Sequence, residues 1–481
     1  SKESISLLQP FIPKFENMAI PQEKGVMIGN EATIPFTPYI SDKDISEPWL
    51  FTSASNGETK AIAWPKEAIG RKDDWRFAVE YKLGTIGANE KANFGPVQVG
   101  INTVSTWSEW RELVVGEETH SLKELPLYTL EAEGGSVISS VGEKVKYSFR
   151  SMLTPYVHGS LMLQHNGKLY MKETKPEDAV HHITLQLEHH KPGIQSITGD
   201  FRSSSHRAQV KALQLVKGKR EVTTVESNGI WTVENGLIEY KASPTYFPGV
   251  YSLTYKGEET LHHQYPESGP KAWWNPWGGG LRYTFQDVSA YSMLKEDTTV
   301  RSVIKVDEYG HQWTGLCIPT AFTEHETMKG VVLRQFALTL PEVPVVALFA
   351  EVEQSSGRTF TNEVLDLEAF VKPAERLTSC YANLPTEGTI HTYYAGVEEF
   401  ILKDTPFVTI GSDEREDDLI VIHPRKKKMA ELYMNQEVML VASEMDWSAS
   451  SGEVVRIQPT FLLFGDGKQT HYTQLQRLSF N

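Results

Sequence analysis

The chain of 481 residues carries a formal charge of −15 at pH 7, from 47 Lys and Arg against 62 Asp and Glu. That balance opposes non-specific attraction to phosphate backbones or anionic lipid, so neither nucleic acid nor a membrane is expected as a partner. A composition of 40% hydrophobic and 23% charged residues is that of a folded globular protein, and the length exceeds one ordinary core, so two or three domains are expected.

The two cysteines, Cys317 and Cys380, lie in apolar or mixed strand-like runs and are expected as buried thiols rather than a disulfide. Their number and spacing give no metal site, and no nucleotide, flavin or zinc motif is present, so no cofactor is expected. No apolar run approaches the roughly 18 residues that span a bilayer. The chain begins at Ser1 without Met, which leaves open an upstream leader or domain. Sparse cysteine favours the cytoplasm, with secretion left open.

Apolar residues alternate with polar ones along most of the chain, the period of a half-buried strand. Trp75, Phe77, Val79, Tyr81 and Leu83 share one side of such a run; Val97, Val99 and Ile101 share another. The pattern returns at Val145, Tyr147 and Phe149, at Ile183, Leu185 and Leu187, at Ile238, Tyr240 and Ala242, at Tyr251, Leu253 and Tyr255, and at Phe336, Leu338 and Leu340. Turn signals separate these runs: Asn56-Gly57, Asn166-Gly167, Asn228-Gly229, Asn235-Gly236, Lys256-Gly257 and Asp466-Gly467. Asn-Gly suits the two positive-φ positions of a type I′ turn, so the segment around Asn166-Gly167 is predicted to be a hairpin. Helical periodicity is scarce, and Lys427 to Asn435 is the best candidate for a helix.

The chain therefore reads as all-β, a multidomain set of antiparallel β-sandwiches. Residues 1–126 form an N-terminal β domain with Trp49, Trp64, Trp75, Trp107 and Trp110, and residues 127–222 an immunoglobulin-like sandwich. A polar linker is expected at 217–229. Residues 230–481 then run without a clear break, a length that suits a large two-sheet sandwich.

One stretch of the last segment stands out: Ser268 to Phe285, SGPKAWWNPWGGGLRYTF. Trp273, Trp274 and Trp277 offer flat apolar faces, the triple glycine permits close backbone approach, and Arg282 supplies donors for hydroxyls. Aromatic platforms with nearby polar groups suit a sugar ring, so a carbohydrate ligand is expected on this loop.

The order NGLIEYKASPTYFPGVYSLTYKGEETL (235–261), followed by a Trp/Pro/Gly loop and an Arg, resembles the start of the galactose-mutarotase-like superfamily. The resemblance covers roughly half of the chain and implies a C-terminal β-supersandwich, residues 230–481, of the kind found in sugar 1-epimerases and in domains of polysaccharide lyases and glycosidases. It implies that Arg282 takes the place of the family's arginine, beside the tryptophans. It further implies His311 and His325 in the places of the family's acid histidines, and Glu363 or Glu368 as base. The family's Asn-His strand and late glutamate setting are not evident in this chain.

The residues themselves support a proton-transfer reading, since His and Glu can straddle a sugar ring near neutral pH. His311 enters a strand from a turn, and His325 lies between Glu324 and Glu326. In EVLDLEAFVK, Asp366 and Glu368 share a strand side with Val364 and Phe370, which predicts inward-facing carboxylates. His262-His263 is expected to line the same cleft. His181-His182 and His189-His190 are expected at exposed strand ends, too far apart to share an ion. The acidic run 413–418 and the basic run 425–428 are expected as solvated turns. The site set is thus His311, His325 and Glu368 as catalytic groups, with Trp273, Trp274, Trp277, Arg282 and His262 binding substrate. A non-catalytic carbohydrate-binding module, or an interaction scaffold with a partner domain or second copy of the chain, is the alternative.

Overall fold

The computed structural model describes residues 128–480, apart from 152–156, 179, 205–206, 387–388, 397–399, 404 and 468–469, together with four N-terminal strands. Those strands are Phe36–Ile40, Leu50–Phe51, Ile62–Ala63 and Trp75–Val79, paired antiparallel as first with fourth and second with third. The run from Val97, the Asn56-Gly57 turn and Trp49, Trp64, Trp107 and Trp110 lie outside the described residues.

Among the described residues strand makes up 61% and helix 5%, so the all-β expectation holds. Residues 128–217 form a three-stranded and a five-stranded sheet around a shared core of Tyr147, Phe149, Leu163, Ile183 and Ile197. All pairings there are antiparallel except that of Ile138–Ser140 with Arg207–Lys217, which is parallel. The predicted hairpin is present: Asn166 and Gly167 take φ of 49° and 72° and join Gly159–His165 to Lys168–Thr174.

Thr223–Ser227, expected within a linker, is instead a strand. It pairs with Ile230–Glu234 across the Asn228-Gly229 turn and opens a ten-stranded sheet. Its polar composition reflects an edge position, where all five residues stay at least partly exposed. The sheet continues through Ile238–Ser243, Phe247–Tyr255, Leu281–Phe285, Thr359–Val371, Met439–Ser450, Met429–Met434 and Phe400–Lys403. The Lys427 to Asn435 helix is corrected by this order. Met429–Met434 is a strand, because its alternate residues Ala430, Leu432 and Met434 are needed in the core and its backbone fills the ladder between two neighbours.

An eleven-stranded sheet packs against the ten-stranded one. Leu281, Tyr283, Leu365, Leu367, Val441 and Leu432 of the first meet Leu316, Ile318, Leu333, Leu348, Ile410 and Leu462 of the second in one continuous core. The far face of the eleven-stranded sheet carries a second core. There Trp313, Phe336 and Phe461 pack against Ile138, Leu213 and Leu215 of the preceding sandwich and against Tyr472 and Leu475 near the C-terminus. Among the described residues, neither of these two cores occupies the outer face of the ten-stranded sheet.

Cys317 and Cys380 are free and buried, as expected. His189 departs from its expected exposed strand end: it is fully buried, with its Nε2 2.9 Å from the Tyr147 hydroxyl and its ring edge-on to His165.

Candidate functional site

Strand alternation decides which residues reach the outer face. Along Thr359–Val371, Leu365, Leu367 and Ala369 point into the core, so Asp366, Glu368 and Phe370 point out. The shared side of Asp366 and Glu368 is as expected from the sequence, but that side is the outer face and not the space between the sheets. Cross-strand register then sorts the outer face into rows. One row runs Arg282, Glu368, Ala442, Glu431; the next runs Thr284, Asp366, Glu444, Met429; a third runs Phe370, Leu440, Tyr433, Ile401. Adjacent rows are separated by two residues, about 6.7 Å.

The first row is anchored by an ion pair. Nε and Nη2 of Arg282 donate to Oε2 of Glu368 at 2.7 and 2.6 Å, with side chains 5% and 16% exposed. The guanidinium carbon lies 4.4 Å from the centre of the Phe247 ring and 5.7 Å from that of Phe370, a cation–π setting on both. Gly249 makes room for this arrangement, since a Cβ there would stand 2.3 Å from the Leu281 carbonyl oxygen and 2.9 Å from Cβ of Arg282. The buried Nη1 of Arg282 has no protein partner.

In the second row, burial and then the neighbouring carboxylates of Glu444 and Glu368 push Asp366 up to about 7. Its buried Oδ1 also has no protein partner. Lys428, from the start of the neighbouring strand, opposes the rise.

The tryptophan stretch closes the third row. Gly269–Lys271 and Trp274–Trp277 pair as a short hairpin laid over the outer face. Trp277 is fully buried, packed with Phe370, Tyr433, Val438 and Leu440. Its expected place against the ligand is therefore corrected: the fit of its large apolar ring into that cluster removes it from solvent. Trp273 is 61% exposed and stacks on the half-buried Trp274 at 4.7 Å, with Tyr433 edge-on at 4.8 Å. The glycines hold the hairpin down. Gly280 donates its N–H to the His262 carbonyl, and a Cβ on Gly279, at φ 68°, would stand 1.9 Å from that oxygen.

His262 backs Trp277 edge-on at 4.8 Å, and burial pushes its imidazole down to about 3. It supports the platform from behind as a neutral ring. His263 sits 3.7 Å from Glu259.

The two catalytic histidines expected from the sequence are not brought to Glu368. His311 precedes the Gln312–Ala321 strand on the far side of the eleven-stranded sheet, its Nε2 3.0 Å from the Ser136 hydroxyl of the preceding sandwich. Burial lowers its pKa. His325 sits in the turn between Gln312–Ala321 and Val331–Thr339. There its N–H donates to Glu296, and its Nδ1 accepts from the Met328 N–H and lies 3.1 Å from the Thr327 hydroxyl. The expected single cleft failed because chain proximity carried His311 and His325 into the other sheet. Glu363 lies beside the 360/363 bulge of its strand, away from Arg282.

Sequence reasoning passed over Phe247, Tyr433 and Glu444. Phe247 lies within the quoted family-like segment, and Glu444 sits in the alternating run Met439–Ser450, but only the cross-strand register aligns it with Asp366.

No family model matches the chain. A search of curated proteins also finds no match. Similar solved structures include a putative aldose 1-epimerase from Klebsiella pneumoniae, 8% identical, covering 60% of this chain and 88% of that one at a TM-score of 0.38. A GH36 alpha-galactosidase from Geobacillus stearothermophilus is 11% identical, with 51% and 41% covered at 0.34. A TPR-domain containing protein from Parabacteroides distasonis is 10% identical, with 57% and 51% covered at 0.36. The chain spans about half the length of the last two or less. Likenesses this distant carry no argument, and the reading of the site rests on its own geometry.

A cavity of about 260 Å³ lies elsewhere, lined in part by Tyr255, Lys256, Glu258, Arg415, Asp417 and Phe464. Its two cations pair with carboxylates of the same lining, Lys256 with Asp417 at 2.6 Å and Arg415 with Glu258 at 3.1 Å, and it contains none of the site residues above. Among the described residues no group of three or more His, Cys, Asp and Glu is placed to hold a metal ion, and no helix is long and apolar enough to cross a membrane.

Proposed function

We propose that the paired ten- and eleven-stranded sheets are a galactose-mutarotase-like supersandwich and that the outer face of the ten-stranded sheet binds a carbohydrate. The observation that carries this reading is one juxtaposition. The exposed Trp273, stacked on the half-buried Trp274, stands on the same face as the Arg282–Glu368 pair and the carboxyls of Asp366 and Glu444. A pyranose needs both a flat apolar surface for its C–H face and polar groups for its hydroxyls. Titration of tryptophan fluorescence with mono- and oligosaccharides tests it. Saturable quenching that is lost in Trp273→Ala is expected; a response to no sugar, or one unchanged in that variant, overturns it.

A second reading, catalysis at this face, is favoured by Asp366. A carboxyl pushed up to about 7 exchanges a proton near neutral pH, as opening a sugar ring at its ring oxygen requires. Polarimetry on freshly dissolved galactose or glucose tests it, with acceleration expected from the wild type and lost in Asp366→Asn. No acceleration by the wild type leaves the non-catalytic binding module as the function.

A further inference from the structure

Exposed rings are scarce on this protein, and two of them stand on adjoining elements. Among the described residues three aromatic side chains are exposed, Trp273, Tyr291 and Tyr394, at 61, 60 and 49%. The Tyr394 hydroxyl donates to Asp413 in the other sheet. Trp273 leads into the hairpin strand Trp274–Trp277, and Tyr291 belongs to the short helix Ala290–Met293, which packs against that strand. Both elements are fixed to one base. Met293 sits in the core between the sheets, and Ala290 packs against the cluster of Tyr246, Phe247 and Tyr251. The Tyr246 hydroxyl in turn donates to the Gly278 carbonyl, just past the hairpin strand, at 2.7 Å.

Each of the two rings has one face taken by the protein. Trp273 stacks on Trp274, and the Lys295 ammonium lies 4.2 Å from the centre of the Tyr291 ring. At these exposures the opposite faces are open to solvent. The space beside Arg282, by contrast, is about 10 Å³, room for a water and no more, so a sugar does not sink into the face there. A single pyranose on one open ring is covered on one side and binds weakly. A chain that reaches the second ring gains another stacking contact without a second loss of translational and rotational freedom.

We propose that this face binds glycans as chains of several pyranose units, with one unit on Trp273 and a later one on Tyr291. The proposal rests on the carbohydrate reading and narrows its ligand class from single sugars to oligosaccharides and polysaccharides.

The test is calorimetric titration of the full chain with glucose and with cello- and malto-oligosaccharides of two, four and six units. In at least one series affinity is expected to rise with length, the hexasaccharide binding at least about tenfold more tightly than glucose. In Tyr291→Ala the hexasaccharide-to-glucose affinity ratio is expected to fall towards one, and in Trp273→Ala binding in both series is expected to be lost. Circular dichroism checks that the two variants, both at exposed positions, are folded. If glucose titrates and neither series gains with length, or if the gain survives Tyr291→Ala, the chain proposal is overturned and the carbohydrate reading stands. If no sugar of either series titrates, or if binding is unchanged in Trp273→Ala, both fall.

Discussion

Arg282 and Glu368 sit directly opposite each other on neighbouring strands, and two guanidinium nitrogens converge on one carboxylate oxygen at 2.7 and 2.6 Å beneath the rings of Phe247 and Phe370. A buried pair held this way fixes the floor of the site, and breaking it leaves an uncompensated charge. Arg282→Ala and Glu368→Ala are each expected to cost roughly 3–5 kcal/mol of stability. Urea denaturation measures this, and a double variant losing much less than the sum of the singles would establish the coupling.

The tryptophans separate structural from ligand-facing roles. Trp277→Ala empties a closed aromatic cluster and is expected to cost about 3–5 kcal/mol, whereas Trp273→Ala removes an exposed ring and should change stability by well under 1 kcal/mol. Thermal unfolding of the two variants, read beside sugar titration, shows whether stability and affinity divide in this way.

Asp366 makes the fold lose stability as pH rises from about 4 to 7. Its folded pKa of about 7 lies above the ordinary 3.8, so its protonated form is favoured by folding. The stability tied to that proton is complete below about pH 4 and is lost as pH rises through 7. Asp366→Asn is therefore expected to be more stable than wild type at pH 8, by roughly 1–3 kcal/mol after solvent screening, and equal to it near pH 4. Denaturation curves at the two pH values decide it, and equal curves at pH 8 would show that Asp366 is not held protonated.

Four histidines act in the opposite direction. Burial pushes His262 and His423 down to about 3 and His189 and His471 down to about 4, all below the unfolded value of 6.5. Each contributes stability that is complete above about pH 6.5 and is lost as pH falls towards the folded values. Between pH 6.5 and 5, before most carboxylates titrate, the free energy of unfolding should decline. His423 is buried with its Nδ1 2.6 Å from the Ser443 hydroxyl, and His423→Asn should flatten that slope.

Gly279 should not tolerate a side chain. With φ at 68° and the His262 carbonyl 1.9 Å from the position of a Cβ, Gly279→Ala is expected to lift the hairpin from the outer face. Loss of the near-ultraviolet circular dichroism of the stacked tryptophans, with the main β signal kept, is the readout.

What the sequence by itself determined was local. Alternation in runs such as Val145 to Phe149 and Ile238 to Ala242 marked strands, because one face of each is buried, and Asn166-Gly167 marked a hairpin, because few dipeptides accept two positive φ angles. The same-side placement of Asp366 and Glu368, and the prominence of Arg282 and the tryptophan stretch, follow from the same two-residue period. Tertiary structure decided everything that depends on which strands become neighbours. It paired Arg282 with Glu368 across 86 residues and set Asp366 opposite Glu444. It also sent His311 and His325 to the other sheet and drew Met429–Met434 into a ladder against a helical reading of its composition. Trp277 and Trp273 are four residues apart in one short hairpin, yet one is sealed in a cluster and the other open to solvent. The reason is that the face a hairpin lies on, and not its own sequence, determines which of its rings is covered.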